Sequence, residues 1–438
     1  MVKYTCERCG HLFSQKQHLQ KHLDKKKKCI CLDQKIMNII DSKIDQKVKQ
    51  SAHKKYIHEK GQYFTTNEYL KECVFSLIKN DPDLILEPSM GQGDLVEYVK
   101  SKRQELDFDL YEIDDTIETL DSIDKTQINY GDFLAMEVKS SYDTIIGNPP
   151  YVRTTTGNLY LDFVDKCYSL LNDCGELIFI VPSDFIKLTS SGKIINKMMS
   201  NGTFTHIIRP DNESLFENAS IDVIVFRYCK DSSLPNIIAV NGDEKYLTNT
   251  NGILTFSDDA QTQMSPLSEH FDIYVGMVTG KESVFKNDTH GDVDVLNGKD
   301  KVDRYILIEE FPSENPDLNG YLLSHKEELI TRKIKKFSEK NWFQWGALRN
   351  IETVKANLGK ECIYVRTLTR SKEVCFEGKV QYFGGGLIIM IPKKKINTKK
   401  IVEYINSDTF KSNYMYSGRF KMGHKQLCNA LFQKDHTL

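Results

Sequence analysis

The stretch Leu84-Ile85-Leu86-Glu87-Pro88-Ser89-Met90-Gly91-Gln92-Gly93 decides the fold of this 438-residue chain. Its first three residues are aliphatic and predict a buried strand, and its two glycines allow the backbone to turn tightly beside a ligand. The third glycine of the dinucleotide-binding fingerprint is missing, which disfavours a nicotinamide cofactor. The stretch therefore predicts a strand, a turn that approaches a ligand of another kind, and a helix.

Short β-rich runs alternate with stretches of helical periodicity from about residue 61 to residue 230. The β-rich runs are 84–86, 108–111, 144–146, 177–181, 205–208 and 223–226, and the helical stretches include 67–79, 158–171 and 191–200. This alternation predicts a parallel α/β sheet with helices on both faces. Because such sheets bind ligands beyond the carboxyl ends of their strands, motifs that directly follow strands carry the most weight.

Acidic residues follow the next two predicted strands. Glu112 comes about 20 residues after the glycine turn, where a carboxylate can accept hydrogen bonds from ribose hydroxyls. Asp132 precedes Phe133, a pair that could accept an exocyclic amine and stack on an adenine ring. Capping of the following turns by Asp114 and Asp132 is the simpler alternative.

The strongest motif is Asn148-Pro149-Pro150-Tyr151, which follows the apolar strand 144–146. The two prolines end the strand and fix the backbone after it. The side-chain carbonyl of Asn148 and the backbone carbonyl of Pro149 can together accept both hydrogens of a planar amine. The nitrogen lone pair is then available to attack a methyl sulfonium, and Tyr151 offers a face for the target ring. Positioning and electrostatics supply most of the catalysis in such a site.

Residues 55–438 resemble the gamma class of amino-group DNA methyltransferases, in which cofactor motifs precede the catalytic motif and a target-recognition domain follows. The resemblance implies the cofactor S-adenosylmethionine. Gly61-Gln62-Tyr63-Phe64-Thr65-Thr66 resembles the N-terminal cofactor motif of the class, with Thr66 in place of its proline. The implied cofactor-binding residues are Thr65, Glu87, Pro88, Ser89, Met90, Gly91, Glu112, Asp132 and Phe133.

The same resemblance implies transfer of a methyl group to N6 of an adenine flipped out of duplex DNA. The implied catalytic residues are Asn148, Pro149, Pro150 and Tyr151, with Phe216 helping to hold the flipped base or else packing in the core. The tetrapeptide also occurs in methyltransferases that act on RNA or on protein glutamine. Those activities, and a non-enzymatic DNA-binding regulator with a decayed core, stay open as alternatives.

The C-terminal region favours DNA as the substrate. Residues 1–60 carry a net charge of +9 and residues 331–438 a net charge of +14, whereas residues 61–330 carry −25. Trp342 and Trp345 lie close to Arg349, and interleaved aromatic and cationic residues suit a nucleic-acid face or else a core. The resemblance implies a target-recognition domain here, with double-stranded DNA as partner, and it allows a separate cognate restriction endonuclease.

The N-terminus predicts a ββα zinc finger. Cys6 and Cys9 are followed by His22 and Cys29 in the spacing C-x2-C-x12-H-x6-C. We take Cys6, Cys9, His22 and Cys29 as the zinc ligands, with His18 and Cys31 as alternatives. The pattern resembles single fingers at the start of proteins from large DNA viruses.

Four segments are therefore expected: a zinc finger (1–31), a helical linker (32–55), a Rossmann-like methyltransferase domain (56–250) and a mixed α+β target-recognition domain (251–438). No apolar run reaches the length of a membrane span, and no signal-peptide core is visible. We expect a soluble intracellular protein of the cytoplasm or nucleus, in the host cell if the protein is viral.

Overall fold

The computed structural model describes residues 3–7, 11–25, 61–138, 141–155, 157–216, 219–258 and 264–433. The chain divides into two compact units, Met1–Tyr63 and Phe64–Leu438. The helical linker predicted at 32–55 lies outside the described residues.

The first unit contains a short hairpin and a helix. Strands β1 (Tyr4–Thr5) and β2 (Leu12–Phe13) pair antiparallel, and helix α1 (Lys16–Leu23) follows. The order of elements is the ββα order that the sequence predicted. Cys9 and Cys29, two of the four predicted zinc ligands, lie outside the described residues.

The second unit is built on a ten-stranded mixed sheet in the order β12-β11-β10-β8-β9-β7-β6-β3-β4-β5. Its strands are β3 (Leu84–Glu87), β4 (Asp107–Glu112), β5 (Ile128–Tyr130), β6 (Tyr142–Gly147), β7 (Leu171–Pro182), β8 (Thr203–Ile208), β9 (Val223–Cys229), β10 (Ile237–Val240), β11 (Asp243–Thr250) and β12 (Ile253–Ser257). The sheet thus continues past residue 250, where the sequence placed a domain boundary; that boundary stays a prediction.

Helices cover this sheet. They are α2 (Glu68–Ser76), α3 (Asp94–Lys102), α4 (Leu159–Ser169) and α5 (Thr189–Met199), with 3-10 turns at Lys125–Gln127 and Ser183–Ile186. A large apolar core of Phe179, Phe204 and Phe226 with many aliphatic residues packs beneath them. Burial of this apolar surface is the main term that stabilises the unit.

The expectation of a parallel sheet was wrong for two strands, β9 and β11, the second of which pairs antiparallel with β10 and β12. Strand β9 lies between β7 and β8 and pairs antiparallel with both. Parallel neighbours need a long crossover, usually a helix. The described residues between Ile208 and Val223 contain no helix, and the chain returns in the opposite direction.

The C-terminal part consists of a four-stranded sheet, several shorter strands and short helices. Strands β14 (Phe271–Val275), β17 (Glu361–Arg366), β19 (Cys375–Lys379) and β20 (Leu387–Pro392) make an antiparallel sheet in the order β14-β20-β17-β19. The shorter strands are β13 (Met264–Pro266), β15 (Val293–Gly298), β16 (Lys301–Tyr305), β18 (Leu368–Thr369), β21 (Met415–Tyr416), β22 (Arg419–Lys421) and β23 (Leu431–Gln433). The helices are α6 (Leu267–His270), α7 (Glu282–Phe285), α8 (Pro316–Ser324), α9 (Lys326–Ile330), α10 (Ile351–Asn357), α11 (Thr398–Asn406), α12 (Asp408–Ser412) and α13 (His424–Asn429).

The two tryptophans belong to this part's core. Trp342 and Trp345 are each only 2% exposed, and the indole N–H of Trp345 donates to the carbonyl of Ile306 over 2.7 Å. Of the two alternatives that the sequence left open for them, the structure shows the core, because nearly all of both rings is removed from solvent. Among the residues described, no helix combines the length and apolarity needed to cross a bilayer.

Candidate active site

The site lies where the strand order of the sheet reverses. The chain runs outward from β3 through β4 to β5 on one side, and from β6 to β7 on the other. Strands β3 and β6 are parallel neighbours, with Leu86 opposite Ile145. Their carboxyl ends therefore meet at one edge, which is where open α/β sheets bind ligands. The glycine turn follows β3, and the Asn-Pro-Pro-Tyr turn follows β6.

The glycine turn is held in a conformation that only glycine adopts readily. Gly91 has φ +58° and Gly93 has φ +95°. A Cβ on Gly93 would lie 2.6 Å from Cγ1 of Ile123, so a side chain there would also clash. The N–H of Gly91 donates to Oε2 of Glu112 over 2.8 Å, and Oε1 of Glu112 accepts from the N–H groups of Ile113 and Asp114. Glu112 thereby joins the ends of two strands.

Phe64 and Thr65 connect the two turns. A Cβ on Gly91 would lie 3.0 Å from the ring of Phe64, so this ring packs against the glycine backbone. Thr65 is buried, and its hydroxyl oxygen accepts a hydrogen bond from Nδ2 of Asn148 over 3.1 Å. The three predicted motifs thus meet in one place, although Thr65 in the first and Asn148 in the last are 83 residues apart in sequence.

Asn148 has its side-chain amide fixed at both ends. Nδ2 donates to Thr65, and Oδ1 accepts from the hydroxyl of Tyr151 over 2.5 Å. The Tyr151 hydroxyl is also 3.1 Å from the carbonyl oxygen of Ile180 in β7. An acceptor oxygen with this orientation can receive a proton-bearing nitrogen in place of the tyrosine hydroxyl.

Aromatic rings surround the turn. Tyr151 packs edge-to-face against Phe216, with ring centroids 6.3 Å apart, and against Tyr160, with centroids 6.2 Å apart. Tyr160 in turn contacts Phe185. Phe216, which the sequence left open between a contact with the flipped base and a place in the core, therefore lies beside the Asn-Pro-Pro-Tyr turn. Burial raises the pKa of Tyr160 to about 12.

Glu87 is an unsatisfied carboxyl beneath the glycine turn. It is only 1% exposed, and in the described part of the chain neither of its oxygens has a partner at hydrogen-bonding geometry. Burial raises its pKa well above the usual value, while the nearby N–H of Ser89 offsets only part of that effect. The buried hydroxyl of Ser89 also lacks a partner among the described residues. Such a pair suits a ligand that brings a cationic amine.

The predicted adenine contacts differ in exposure. Asp132 is exposed, and one of its oxygens accepts from the N–H of Leu134 over 3.0 Å, as in a capped turn. The ring of Phe133 is 2% exposed and packs against Tyr111 and Phe163. Lys166 donates to the carbonyls of Phe133 and Met136, which fixes this loop. Asp132 is thus better placed than Phe133 to meet a ligand, and Asp114 caps its own turn through Thr116.

Two of the four predicted zinc ligands, Cys6 and His22, lie among the described residues of the N-terminal unit. Cys6 is buried and follows β1, whereas His22 lies on α1 with its ring 5.0 Å from that of Phe13. Residues 3–7 and 11–25 and the rest of the described chain contain no group of three His, Cys, Asp or Glu side chains that could hold a metal. The predicted set needs Cys9 and Cys29, which are not among those residues.

Sequence reasoning did not identify Phe64 and Tyr160 as site residues. Phe64 lies within a motif that was noted, but only the folded chain brings its ring against Gly91. Tyr160 is one of several residues at helical spacing on the buried face of α4, and this spacing alone predicts a core residue rather than a site residue.

Comparisons with known proteins point to methylases. Residues 12–216 match the model of a family described as Eco57I restriction-modification methylase. The Type II methyltransferase M.HincII of Haemophilus influenzae is 30% identical over 207 residues, which are 42% of this chain and 40% of that protein. The modification methylase CviBIII of Paramecium bursaria Chlorella virus NC1A is 30% identical over 141 residues, which are 27% of this chain and 37% of that protein.

A solved structure of the Type IIL restriction-modification enzyme MmeI in complex with DNA aligns with a TM-score of 0.49 and 9% identity, covering 83% of this chain and 62% of that one. The chain spans about two fifths of the length of the curated relatives M.HincII and M.HindII. The family match includes both the glycine turn and the Asn-Pro-Pro-Tyr turn. The N-terminal half of the chain is therefore similar in sequence to methylases of restriction-modification systems.

Proposed function

We propose that this protein transfers a methyl group from S-adenosylmethionine to N6 of adenine in double-stranded DNA. One observation carries the proposal: Phe64 packs against the glycine turn after β3, while its neighbour Thr65 accepts a hydrogen bond from Asn148 after β6. A cofactor at the first turn and an amine at the second would then lie side by side at the edge of the sheet. Methyl transfer requires that proximity.

The residues at the glycine turn fit the cofactor. The unpartnered carboxyl of Glu87 and hydroxyl of Ser89 suit the amino end of its methionine part, while Glu112 has acceptor capacity left for ribose hydroxyls. Thr65, Pro88, Met90 and Gly91 line the same turn, and Asp132 and Phe133 follow the next strand but one. When bound, the cofactor supplies an electrophilic methyl on a sulfonium.

The Asn-Pro-Pro-Tyr turn fits the acceptor amine. Oδ1 of Asn148, which the Tyr151 hydroxyl contacts in the structure, would accept one amine hydrogen, and the carbonyl of Pro149 would accept the other. Pro150 fixes the turn, and Tyr151 and Phe216 would hold the ring between them. Because a base within a duplex hides this amine, the target adenine must be flipped out of the helix.

The choice of DNA rests on the relatives and on charge. The relatives are called Type II methyltransferases and a modification methylase, and residues 331–438 carry a net charge of +14. A target-recognition domain in the C-terminal part, and a separate cognate restriction endonuclease as partner, belong to the same proposal. A basic surface would give DNA binding that weakens with salt through counterion release.

The proposal is tested by the substitution Asn148→Ala in the full chain. Wild type should transfer labelled methyl groups from S-adenosylmethionine to duplex DNA, with the product identified as N6-methyladenine by mass spectrometry. The variant should lose at least about a hundredfold in rate, because the acceptor that positions the amine is gone. Its affinity for S-adenosylmethionine should change little.

A matched control is Asn172→Ala, which removes an amide that donates to Asp143 at the opposite end of β6 and β7. This variant should keep its activity. Full activity in Asn148→Ala would remove the mechanism. Transfer by wild type to RNA or to protein glutamine instead of DNA, or failure to bind the cofactor at all, would overturn the proposed function.

We also propose that Cys6, Cys9, His22 and Cys29 bind a structural zinc ion. The support is the ββα order of β1, β2 and α1, the buried thiol of Cys6 on the hairpin and the imidazole of His22 on the helix. Thiolate and imidazole are the ligands that zinc prefers in small fingers.

A further inference from the structure

A groove of about 890 Å³ lies beside the candidate active site. It begins at Pro182, the last residue of β7, and is also lined by Glu213 and Ser220, which flank Phe216. The opposite wall comes from the C-terminal part, including Leu368 and Tyr416. Strand β7 is the neighbour of β6, so this groove, hereafter the β7 groove, opens at the same sheet edge as Asn148.

The N-terminus of helix α5 opens into the β7 groove. Leu188, its N-cap residue, and Thr189, its first residue, both line the groove. No side chain caps this eleven-residue helix, and its first turn carries no acidic residue. In the described part of the chain, the backbone N–H groups of the exposed residues Thr189 and Ser190 have no backbone acceptor. An uncapped helix N-terminus with free N–H groups attracts anions.

A buried lysine lies next to this helix end. Lys187 directly precedes the N-cap, is only 3% exposed and lines the β7 groove. Within the described residues its ammonium group forms no hydrogen bond or ion pair; it lies 4.0 Å from the ring centroid of Tyr416 and 5.4 Å from that of Tyr414. Burial, and next the charge of Arg209, lower its pKa well below the usual value. An anion bound in the groove would favour the charged form of Lys187 and so oppose the lowering of its pKa by burial and by Arg209.

The remaining charges of the groove leave it receptive to an anion. Its cations are Lys187, Arg349, Arg419, Lys421 and Lys425, and its carboxylates are Asp184, Glu213 and Asp222. All three carboxylates are engaged. Asp184 accepts from Lys421 over 2.8 Å, Glu213 pairs with Arg419, and Asp222 accepts from Ser183 and Ser417. Lys187, Arg349 and Lys425 have no carboxylate partner among the residues that the structure describes.

We propose that the β7 groove binds a phosphodiester of the DNA strand that carries the target base, with Lys187 and the N-terminus of α5 as its two fixed contacts. This inference rests on the proposed function. The groove is adjacent to the loop of Phe216, which packs against Tyr151. A phosphate held there would fix the strand next to the base that leaves the helix, and it would do so without reading the sequence.

The first test is Lys187→Met, which keeps the length of the side chain and removes its charge. Binding of a mixed-sequence DNA duplex is measured by fluorescence anisotropy at several salt concentrations. The variant should bind several-fold more weakly, and the slope of log K against log salt should fall by about 0.9, as expected for one lost phosphate contact. The matched control Lys193→Met, on an exposed residue of the same helix that does not line the groove, should keep the wild-type slope.

The second test separates binding from folding. Thr189→Asp places a negative charge on the first residue of α5, where the helix dipole favours it, so the melting temperature should stay equal or rise. The same charge should repel a phosphate and weaken DNA binding. Inorganic phosphate at constant ionic strength should compete with the duplex for wild type and less so for Lys187→Met.

Each result decides the inference. An unchanged salt slope in Lys187→Met, or unchanged affinity in the stable Thr189→Asp variant, would overturn the phosphate site while leaving the proposed methyltransferase intact. Competition by inorganic phosphate that is lost in Lys187→Met, without any change in DNA affinity, would mean a site for a free anion and would also overturn it. A wild-type protein that does not bind DNA would remove the proposed function and this inference together.

Discussion

At the scale of single residues, the orientation of the Asn148 amide is the decisive feature. The hydroxyl of Thr65 accepts a hydrogen bond from Nδ2 of Asn148, and the hydroxyl of Tyr151 donates one to its Oδ1. These two bonds fix the amide in the orientation that presents its oxygen to the site. The importance of Asn148 could be predicted from its tetrapeptide. The hydrogen bond between Asn148 and Thr65 could not, because only the folded sheet brings together residues that lie 83 positions apart.

Thr65→Val tests whether Thr65 acts through Asn148. Valine keeps the shape but removes the acceptor for Nδ2, so the amide loses about 1 kcal/mol of orienting energy. We expect kcat for methyl transfer to fall about fivefold, with KM for S-adenosylmethionine nearly unchanged. Thr65→Ser should restore kcat. If Thr65 mainly contacts the cofactor, as the motif resemblance implies, KM for the cofactor will rise instead.

At the scale of secondary structure, Glu176 holds four elements together. This buried carboxylate pairs with Nε of Arg227 in β9 over 2.6 Å and accepts from the hydroxyl of Thr144 in β6 over 3.0 Å. It also accepts from the backbone N–H groups of Lys79 and Asn80, just beyond α2. The positions of these elements could be predicted from apolar runs. The antiparallel insertion of β9 and its cross-links could not, since an isolated Glu and Arg give no pairing signal.

Glu176→Ala should be strongly destabilising. It leaves Arg227 buried without a counter-charge, for which we expect a loss of about 3–5 kcal/mol in the free energy of unfolding. Urea unfolding followed by circular dichroism measures this loss. Replacing both residues by methionine should cost less than the single change, because no unpaired charge is left behind.

The control is Asp165→Ala, which removes the exposed pair between Asp165 and Lys197. Exposed ion pairs contribute about 0–1 kcal/mol, so this variant should unfold close to wild type. A loss from Glu176→Ala no larger than that of Asp165→Ala would contradict the bracing role given to Glu176.

At the scale of the whole molecule, positive charge is concentrated at both ends of the chain, and a cluster of cysteines lies near the N-terminus. The basic ends could be read from composition, and the basic residues of the C-terminal part do line the β7 groove. The sequence left Trp342 and Trp345 open between a binding face and a core, because composition cannot distinguish the two, and the structure places both in a core. The cysteine spacing at the N-terminus predicts a metal, a prediction that metal analysis can decide.

Purified protein should contain about one zinc ion per chain by mass spectrometry. Cys6→Ser should lower that content, because it removes a thiolate ligand, and a chelator should strip the ion from wild type. Cys174→Ser, at an exposed cysteine of the second unit, should leave the zinc content unchanged. Zinc retained in full by Cys6→Ser, or absent from wild type, would rule out the proposed ligand set.

If the β7 groove binds DNA as proposed, its paired carboxylates have a consequence for how long the DNA would stay bound. Lys421 is already paired with Asp184, and Arg419 with Glu213. A phosphate that pairs with either cation must therefore replace its carboxylate. The net gain in free energy is only the small difference between the new ion pair and the old one. DNA of random sequence would then dissociate quickly from the protein. Only duplexes whose base edges make further contacts with the protein would stay bound for long. Because other sequences are released quickly, the search for such a site along a genome would be faster.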